Sequence, residues 1–255
     1  MTVLETDAIS KVFGGLRAVD DVSVRIEEGE LVGLVGPNGA GKTTLFNCIT
    51  GYLEPTAGDV YFDGERVTDE SPEAIARRGM VRTFQHSRPF TTLTVRENVV
   101  VAAANHPGER TVPALLRTDG MTEREAELRD RADRLLERFG LADRADEYAG
   151  RLSGGERKIL EIARSLMLDP ELLLLDEPYA GITDETVAEV SAYIEELNDE
   201  GMTFLVIEHG LESLVELVDR LIVLNEGSVL ADGPAEEVVT DERVVNVYTG
   251  QPIET

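Results

Sequence analysis

Residues 31–44 read LVGLVGPNGAGKTT, and this stretch decides the fold. The apolar run Leu31–Val35 predicts a buried strand, because it is short, continuous and ends at a glycine-rich turn. Residues 36–43, GPNGAGKT, fit the phosphate-loop pattern G-x-x-x-x-G-K-[ST]. A strand that leads into such a loop, followed by a helix-like segment, indicates a nucleotide site.

The glycines of this loop suit a bound phosphate. Gly36, Gly39 and Gly41 can adopt backbone conformations that are closed to other residues, so that successive N–H groups turn toward an anion. The helix predicted over about residues 41–50 points its positive N-terminal end at the same anion.

Side chains at the start of this helix complete the predicted site. Lys42 would supply a cation for the β- and γ-phosphates, and the hydroxyl of Thr43 is placed for Mg²⁺. Thr44 is a weaker candidate for a further phosphate contact. The other loop residues expected at the nucleotide are Pro37, Asn38 and Ala40.

Composition limits the class of protein. The chain has 255 residues, of which 42% are hydrophobic, so it can form an ordinary globular core. No apolar run approaches the roughly 18 residues of a membrane span. The single cysteine, Cys48, excludes an internal disulfide framework, and its apolar surroundings predict a buried structural thiol.

The chain is strongly acidic. It has 50 acidic and 24 basic residues, and its formal net charge is −26, which disfavours binding of nucleic acid or anionic lipid. Lysine is scarce, with only Lys11, Lys42 and Lys158. This composition resembles that of proteins from salt-loving organisms, in which cations screen the self-repulsion.

Strands and helices alternate over much of the chain. Residues 18–26 and a hairpin with an Asp63-Gly64 turn predict strands in the N-terminal third, and a short helix is expected near residues 72–78. Apolar runs at 172–175, 203–207 and 221–224 predict buried strands, separated by helices over 187–197 and 211–218. This alternation implies a largely parallel sheet with the phosphate loop at a strand's carboxyl end.

The middle of the chain predicts helices. Thr94 and Glu97 have capping-box spacing before a helix to about residue 104, and Thr122 and Glu125 repeat it before a longer one. Residues 105–120, between the two helices, contain prolines and glycines and predict a surface loop. The expected apolar stripe of the longer helix is Leu128, Ala132, Leu135 and Phe139.

We therefore expect an α/β fold in a single domain, residues 1–255. It consists of a phosphate-loop NTPase core with a mainly parallel sheet, an N-terminal antiparallel β part and a helical subdomain inserted at about residues 90–165.

A second motif ends a predicted strand. Residues 172–177 read LLLLDE, so that Asp176 and Glu177 follow the apolar run. Asp176 is expected beside the Mg²⁺ of a nucleotide held by the neighbouring loop. Glu177 is expected to accept a proton from the water that attacks the γ-phosphate. Without the phosphate loop, the same residues would equally suit a solvent-exposed turn.

A third motif, LSGGE at residues 152–156, opens a helix whose apolar stripe is Ile159, Ile162, Ala163 and Leu166. Ser153 and Glu156 have capping-box spacing and would cap any helix. Gly154 and Gly155 are poor helix formers, each costing about 1 kcal/mol relative to Ala. Their presence suits a helix N-terminus whose backbone lies against a phosphate.

The three motifs GPNGAGKTT, LSGGE and LLLLDEP, in this order and spacing, resemble those of ATP-binding subunits of ABC transporters. The resemblance covers nearly the whole chain, and LSGGE separates that family from other phosphate-loop ATPases. It implies ATP and Mg²⁺ as cofactors, and two subunits that meet head to tail. Ser153, Gly154, Gly155 and Glu156 would then contact an ATP held by the phosphate loop of the other subunit.

The resemblance also implies roles for three further residues. Without the resemblance, each of them would be interpreted as structural. Gln85 matches the family's glutamine loop, which senses Mg²⁺ and γ-phosphate and contacts the membrane partner. His209 matches the switch histidine, which contacts the γ-phosphate and orders the attacking water. Phe13 matches the aromatic residue that stacks on adenine.

Within that family, the chain looks most like the ATPases of branched-chain amino-acid importers. The likeness rests on FGGLRAV at 13–19, IEH at 207–209, VYTG at 247–250 and the long helical insertion. It implies two integral-membrane permease subunits, a homodimer or a heterodimer with a second ABC ATPase, an extracytoplasmic solute-binding protein, and attachment to the cytoplasmic face of the membrane. Two residues depart from the pattern: Thr183 replaces a usual Asn or Asp, and Gly210 replaces a common Asp.

Two other functions remain open from the sequence. An ABC ATPase of this kind can serve another cargo, such as import of urea or short amides or export of lipid or lipopolysaccharide. A non-transport ABC protein would instead use ATP-dependent closure for assembly in the cytosol. The chain has one phosphate loop and one signature, which favours the transporter.

Overall fold

The computed structural model describes residues 1–83, 89–103 and 119–249. The strands are β1 Thr2–Phe13, β2 Leu16–Val22, β3 Arg25–Glu27, β4 Leu31–Val35, β5 Ala57–Phe62, β6 Glu65–Arg66, β7 Met80–Arg82, β8 Leu172–Asp176, β9 Thr203–Ile207, β10 Arg220–Asn225 and β11 Ser228–Pro234. The helices are α1 Lys42–Ile49, α2 Pro72–Arg78, α3 Val95–Val100, α4 Asp119–Arg138, α5 Gly154–Leu166, α6 Asp184–Asp199, α7 Glu212–Val215, α8 Ala235–Val238 and α9 Glu242–Thr249.

The chain divides into two compact units. The first comprises Met1–Arg82, Glu171–Tyr179 and Ile194–Thr255, and the second comprises Thr83–Pro170 and Ala180–Tyr193. Both β-sheets belong to the first unit, whereas α3, α4 and α5 belong to the second.

The larger sheet has six strands in the order β11-β10-β4-β9-β8-β7. All neighbours from β10 to β7 are parallel, and β11 pairs antiparallel with β10 at one edge. Strands β4, β8 and β9 are buried along their whole length, which explains why each is a continuous apolar run. The parallel arrangement brings the carboxyl ends of β4, β9 and β8 to one edge of the sheet.

The smaller sheet is antiparallel and comes from the first 66 residues. Its strand order is β2-β1-β5-β6, and β3 also pairs with β1. The Asp63-Gly64 hairpin is confirmed, since Phe62 pairs with Glu65 across it. The expected α/β class, with a mainly parallel sheet and an N-terminal antiparallel part, is therefore confirmed.

A large apolar cluster in the first unit contains side chains from both sheets and from helix α1. Helix α1 contributes Phe46 and Ile49, which are both fully buried among side chains from the two sheets. Burial raises the pKa of the Cys48 thiol on the same helix to about 11, so that it is neutral at physiological pH. This agrees with the predicted structural role of Cys48.

Helices form the core of the second unit. The capping box of α3 is present, because Thr94 accepts the Glu97 N–H while Glu97 accepts the Thr94 N–H. Asn98 on the same helix is fully buried, and it binds Phe90 through both its amide nitrogen and its oxygen. The buried residues of α4 are Leu128, Ala132, Leu136 and Phe139.

Several predicted boundaries are wrong. Helix α3 ends at Val100, four residues before the expected end, since a run of valines propagates a helix poorly. Helix α4 begins at Asp119, so Thr122 lies inside it, and the stripe uses Leu136 where Leu135 was expected. Helix α7 covers only Glu212–Val215 of the expected residues 211–218. The predicted loop at 105–120 lies outside the described residues except for its last two, which are helical.

The sequence analysis missed the elements after residue 225. Strand β11 returns along β10 through a turn at Glu226 and Gly227, which both have positive φ. Its sequence SVLADGP does not alternate, so periodicity gives no signal. Within the described ranges, no helix has both the length and the apolar character needed to cross a membrane.

Candidate nucleotide and catalytic site

The candidate site lies at the carboxyl edge of the larger sheet in the first unit. Strand β4 leads into the phosphate loop at Gly36, and its neighbour β9 leads into Glu208 and His209. Strand β8, on the other side of β9, ends at Asp176 and is followed by Glu177. The strand order therefore brings together three motifs that are far apart in the sequence.

The phosphate loop has the backbone conformations predicted for its glycines. Gly36, Gly39 and Gly41 have φ values of 155°, 83° and 103°. A Cβ on Gly36 would lie 2.2 Å from the Leu224 carbonyl oxygen, and one on Gly41 would lie 2.3 Å from that of Ala18. Glycine is thus required at both positions by conformation and by space.

Helix α1 begins at this loop without a side-chain cap. Its N-cap residue is Gly41, which has no side chain to accept the first N–H groups. These orphan donors, with the positive end of the helix dipole, fit an anion such as a phosphate.

Lys42 is buried at the base of the loop. Its ammonium donates to the carbonyl oxygens of Gly36 and Pro37, at 2.5 and 3.3 Å. Burial lowers the pKa of Lys42, while the nearby carboxylates of Glu177 and Glu208 act in the opposite direction. The cation is thus held beside the loop, next to two carboxylates.

His209 connects Lys42 to Glu177. Its Nε2 lies 2.6 Å from Glu177 Oε1, and its Nδ1 lies 3.5 Å from Lys42 Nζ. The His209 side chain is 52% exposed, whereas the Glu177 side chain is only 8% exposed. The predicted switch histidine therefore contacts both the predicted base and the phosphate-loop lysine.

Glu177 has an unusual backbone conformation. Its φ is +51°, in the left-handed region, which costs a non-glycine residue roughly 1–2 kcal/mol. The backbone N–H of Glu177 donates to Ile207 O at 3.0 Å, and that of Tyr179 donates to Glu208 Oε1 at 2.9 Å. Glu208 is 7% exposed, and burial, followed by the charge of Glu177, raises its carboxyl pKa.

Asp176 forms a buried ion pair. Its Oδ2 accepts from Arg82 Nη2 at 2.6 Å, and the two side chains are 5% and 8% exposed. The other terminal nitrogen of Arg82 donates to Asn47 Oδ1 at 2.7 Å. Arg82 therefore links strands β7 and β8 to helix α1.

The oxygen donors near the loop fit Mg²⁺ chemically. Mg²⁺ at nucleotide sites is held by one or two protein oxygens together with phosphates and waters, so a hydroxyl from Thr43 and a carboxylate from Asp176 suffice. The described residues contain no cluster of three or more His, Cys, Asp and Glu, as a cage made only of protein would require.

Phe13 lies at the end of β1 and is not part of the core. It is 45% exposed, and the Lys11 ammonium lies 5.4 Å from its ring centroid. The next residues, Gly14 and Gly15, turn the chain into β2. An exposed ring at a hairpin tip is suited to stacking on a flat ligand.

The signature segment lies in the second unit, at the start of α5. Ser153 Oγ accepts the Glu156 N–H at 3.2 Å, and Glu156 Oε2 accepts the Ser153 N–H at 2.7 Å, so the capping box is present. The predicted stripe of Ile159, Ile162, Ala163 and Leu166 is buried. Gly155 packs against α6, since a Cβ on it would lie 2.4 Å from Thr186 Cγ2.

Two further residues from the sequence analysis are Gln85 and Thr183, of which the structure describes only the second. Gln85 lies outside the described residues. Thr183, one of the two departures, accepts the Thr186 N–H at 3.4 Å and so occupies a capping position that Asn or Asp would also suit.

Sequence reasoning missed Arg82 and Glu208 as members of the site. The only sequence signal was a charged residue at the end of a short apolar strand in each case, and such residues are usually solvated. Their partners, Asp176 and Tyr179, are distant in the sequence and are brought close by strand order.

The chain is similar to known proteins over almost its whole length. The family profile described as ABC transporter matches residues 19–180. The chain is 39% identical over 250 residues to the high-affinity branched-chain amino acid transport ATP-binding protein BraF of Pseudomonas aeruginosa, covering 98% of both chains. It is 38% identical over 255 residues to a probable branched-chain amino acid transport ATP-binding protein of Methanocaldococcus jannaschii, again covering 98% of both.

Solved structures show the same fold. The ADP conformation of an ATP-binding cassette of an ABC transporter has a TM-score of 0.85 and 36% identity, covering 98% of this chain and 99% of that one. A dimeric cassette in a post-hydrolysis state, bound to ADP and Pi, has a TM-score of 0.74 and 26% identity, covering 91% and 98%.

Proposed function

This chain belongs to the ABC transporter family of ATP-binding subunits, and from that membership we propose that it powers an importer of branched-chain amino acids. The chain is an ATPase of this family. The observation that supports ATP hydrolysis is the contact of His209 with both Glu177 and Lys42, next to an uncapped helix at a phosphate loop. The cargo is inferred from the relatives.

The proposed roles follow from these positions. The N–H groups of the loop and Lys42 bind the β- and γ-phosphates of ATP, with Thr44 as a further contact and Phe13 against the adenine. Glu177 accepts the proton of the attacking water, and His209 orients that water at the γ-phosphate. The residues that complete the proposed phosphate cradle are Gly36, Pro37, Asn38, Gly39, Ala40 and Gly41.

Mg²⁺, when bound, neutralises the charge that develops on the phosphates. Thr43 and Asp176 are the described residues that would hold it, with Gln85 as a further ligand from the resemblance. Arg82 fixes the Asp176 carboxylate through its buried ion pair.

A second ATPase subunit would complete the site. We infer that Ser153, Gly154, Gly155 and Glu156 contact ATP held by a partner subunit, which is a second copy or a related chain. Residues 90–165 would then act as the inserted helical subdomain that brings this segment to the partner. The ADP- and Pi-bound relative, which is dimeric, supports this arrangement.

The transport task is inferred from the relatives. Those of bacterial and archaeal origin are named for branched-chain amino acid transport. We propose that the chain binds two integral-membrane permeases at the cytoplasmic face of the membrane, and that an extracytoplasmic solute-binding protein delivers the amino acid. The transported solute itself does not contact this chain.

Uptake of labelled leucine, isoleucine and valine tests the cargo. Cells lacking the gene for this chain should lose uptake, and the gene should restore it, whereas a gene encoding Glu177→Gln should not. Labelled urea serves as the control solute. Loss of urea uptake with normal leucine uptake would contradict the proposed cargo.

Two variants of the purified chain test the site. Glu177→Gln should abolish turnover yet still bind ATP, so normal hydrolysis would remove Glu177 from the base role. Lys42→Ala should lose nucleotide affinity itself, because the cation beside the phosphate loop is gone. Arg66→Ala, which removes an exposed cation on β6, is the matched control and should bind ATP normally.

A further inference from the structure

The turn that carries Glu177 is attached to the end of β9 by its backbone N–H groups. The turn comprises Glu177, Pro178 and Tyr179, and proline has no N–H. The Glu177 N–H donates to the Ile207 carbonyl oxygen at 3.0 Å. The Tyr179 N–H donates to Glu208 Oε1 at 2.9 Å. Both N–H groups of the turn are therefore held by two consecutive residues.

The second of these bonds depends on a side chain. The backbone pairing of β8 with β9 ends at Asp176 and Ile207, so the sheet ladder does not reach Tyr179. The Glu208 side chain continues the attachment beyond the ladder. A change at residue 208 can therefore release Tyr179 while leaving the strands themselves paired.

Glu208 is also linked to His209, the other side chain at the contact with Glu177. Glu208 directly precedes His209 in the chain, so that a shift of its backbone also moves the imidazole. The imidazole of His209 lies 2.6 Å from Glu177. Glu208 thus belongs to one of the two segments whose side chains meet at that contact, and it accepts a backbone hydrogen bond from the other.

Burial of this carboxylate is unfavourable in itself. Glu208 is 7% exposed and lies near the second carboxylate, Glu177. Two buried carboxylates repel each other, and a solvated polar residue would avoid this cost. A residue kept there despite the cost indicates a geometric requirement at this position.

The geometry points to Glu208 as a positioning residue for ATP hydrolysis, whose hydrogen bond from the Tyr179 N–H holds the turn that carries Glu177 beside His209. The inference rests on the proposed function, in which Glu177 is the base. Glu208 itself transfers no proton. Its removal lets the turn relax from the left-handed conformation of Glu177 and moves the base away from its water.

Three substitutions of Glu208 distinguish the effect of its side-chain length from the effect of its charge. Glu208→Ala removes the acceptor. Glu208→Asp keeps the charge but is one methylene shorter, so the bond to the Tyr179 N–H is lost. Glu208→Gln removes the charge but keeps an acceptor oxygen at the same reach.

Turnover and nucleotide affinity are measured for each variant in the complex purified with its ATPase and permease partners, because the proposed site needs a second ATPase subunit. We expect Ala and Asp to lower kcat by about 100-fold, because a misplacement near 1 Å has that effect, with the Kd for Mg-ATP changed less than about twofold. Gln should recover kcat to within about fivefold of wild type. It keeps an acceptor oxygen for the Tyr179 N–H, but the hydrogen bond to this neutral oxygen is weaker than the one to a carboxylate. The control is Glu216→Ala, which removes an exposed carboxylate between strands β9 and β10. It should behave as wild type.

Three results would overturn the inference. One is an active Glu208→Ala. Another is the reverse order, with Asp active and Gln inactive, which would assign the effect to charge. The third is a loss of affinity equal to the loss of kcat. Thermal unfolding verifies that each variant is folded. If Glu208→Ala is not folded, the comparison of Glu208→Asp with Glu208→Gln decides whether the inference stands.

Glu177→Gln is measured with the Glu208 variants, because it distinguishes a failure of the proposed function from a failure of the inference on Glu208. If it is inactive while wild type turns over, the proposed function stands and the Glu208 variants alone decide this inference. If it hydrolyses ATP normally, both the base role and the positioning role are wrong.

Discussion

Gly155 illustrates, at the scale of single residues, how one glycine can satisfy two requirements. The signature pattern needs a backbone that lies close to a phosphate. The packing needs a residue without Cβ, since a Cβ would approach Thr186 Cγ2 to 2.4 Å. Its neighbour Gly154 differs, because the nearest atom to an added Cβ there is Gly181 O at 3.5 Å. The two glycines therefore allow packing to be tested separately.

Gly155→Ala is expected to destabilise the chain by roughly 1–3 kcal/mol, as overpacking does. Adding Thr186→Ala removes the clashing Cγ2 and should restore much of this loss. Gly154→Ala is the control, and it should be neutral or stabilising by up to about 1 kcal/mol, because Ala favours helix. The free energy of unfolding is measured in urea. Equal losses at Gly154 and Gly155 would contradict the packing argument.

Glu208 gives a second prediction at this scale, which concerns pH. Burial raises its pKa in the folded chain, so the native state binds this proton more tightly than the unfolded state. The contribution of this group to stability is complete below its ordinary pKa of about 4.3 and is lost as pH rises through the raised value. Above the raised pKa, the folded chain therefore bears the cost of the buried charge.

Glu208→Gln removes that cost, so the variant should melt at a higher temperature than wild type at pH 8. The difference in Tm should shrink as pH falls toward 5. Glu216→Gln, at an exposed position, is the control and should have a Tm close to that of wild type. A Tm difference for Glu208→Gln that is the same at pH 5 and 8 would refute the assignment.

At the scale of elements, the buried pair of Arg82 and Asp176 ties strand β7 to strand β8. The guanidinium also binds Asn47 on α1, so three elements meet at one side chain. Sequence reasoning placed Asp176 beside Mg²⁺ and gave Arg82 no role. The pair shows that the carboxylate proposed to bind Mg²⁺ is held in place by a contact within the chain.

Arg82→Met leaves a buried carboxylate without its guanidinium and should destabilise the chain by roughly 3 kcal/mol. Adding Asp176→Asn removes the charge and should recover part of that loss. Arg78→Met is the matched control, because its ion pairs with Glu65 and Glu70 are more exposed and solvent screens them. Urea unfolding measures all three, and a loss at Arg82 no larger than at Arg78 would argue against a structural pair.

At the scale of the whole molecule, the dominant quantity is the net charge of −26. Like charges repel, and salt shortens the distance over which they do so, from about 10 Å at 0.1 M to about 3 Å at 1 M. The composition resembles that of proteins from salt-loving organisms, and we propose that this chain works in concentrated salt.

Raising KCl from 0.1 to 2 M should therefore raise Tm by several degrees, roughly the effect of 1–2 kcal/mol in a chain of this size. Sucrose is the control, because it stabilises by exclusion from the surface and does not screen charge. ATPase activity should follow the same salt dependence. Maximum stability and activity without added salt would contradict the proposal.

The sequence by itself determined the motifs, the fold class and the family. Leu31–Val35 and residues 172–175 are short apolar runs that end at turn residues and so predict buried strands, and the conformations of Gly36, Gly39 and Gly41 follow from the lack of a Cβ. Such features are local, because hydrophobic period, capping and backbone freedom act over a few neighbouring residues. Helix ends were less well predicted, since the apolar pattern continues past the residues at which α3 and α7 end.

The tertiary structure alone decided which side chains meet. Strand order places β9 between β4 and β8, and so brings His209 to both Lys42 and Glu177. The partners of Asp176 and of the Tyr179 N–H, Arg82 and Glu208, could not be found from spacing for the same reason. The phosphate loop could be identified from its own residues, whereas the groups that act on its phosphate depend on contacts between distant strands.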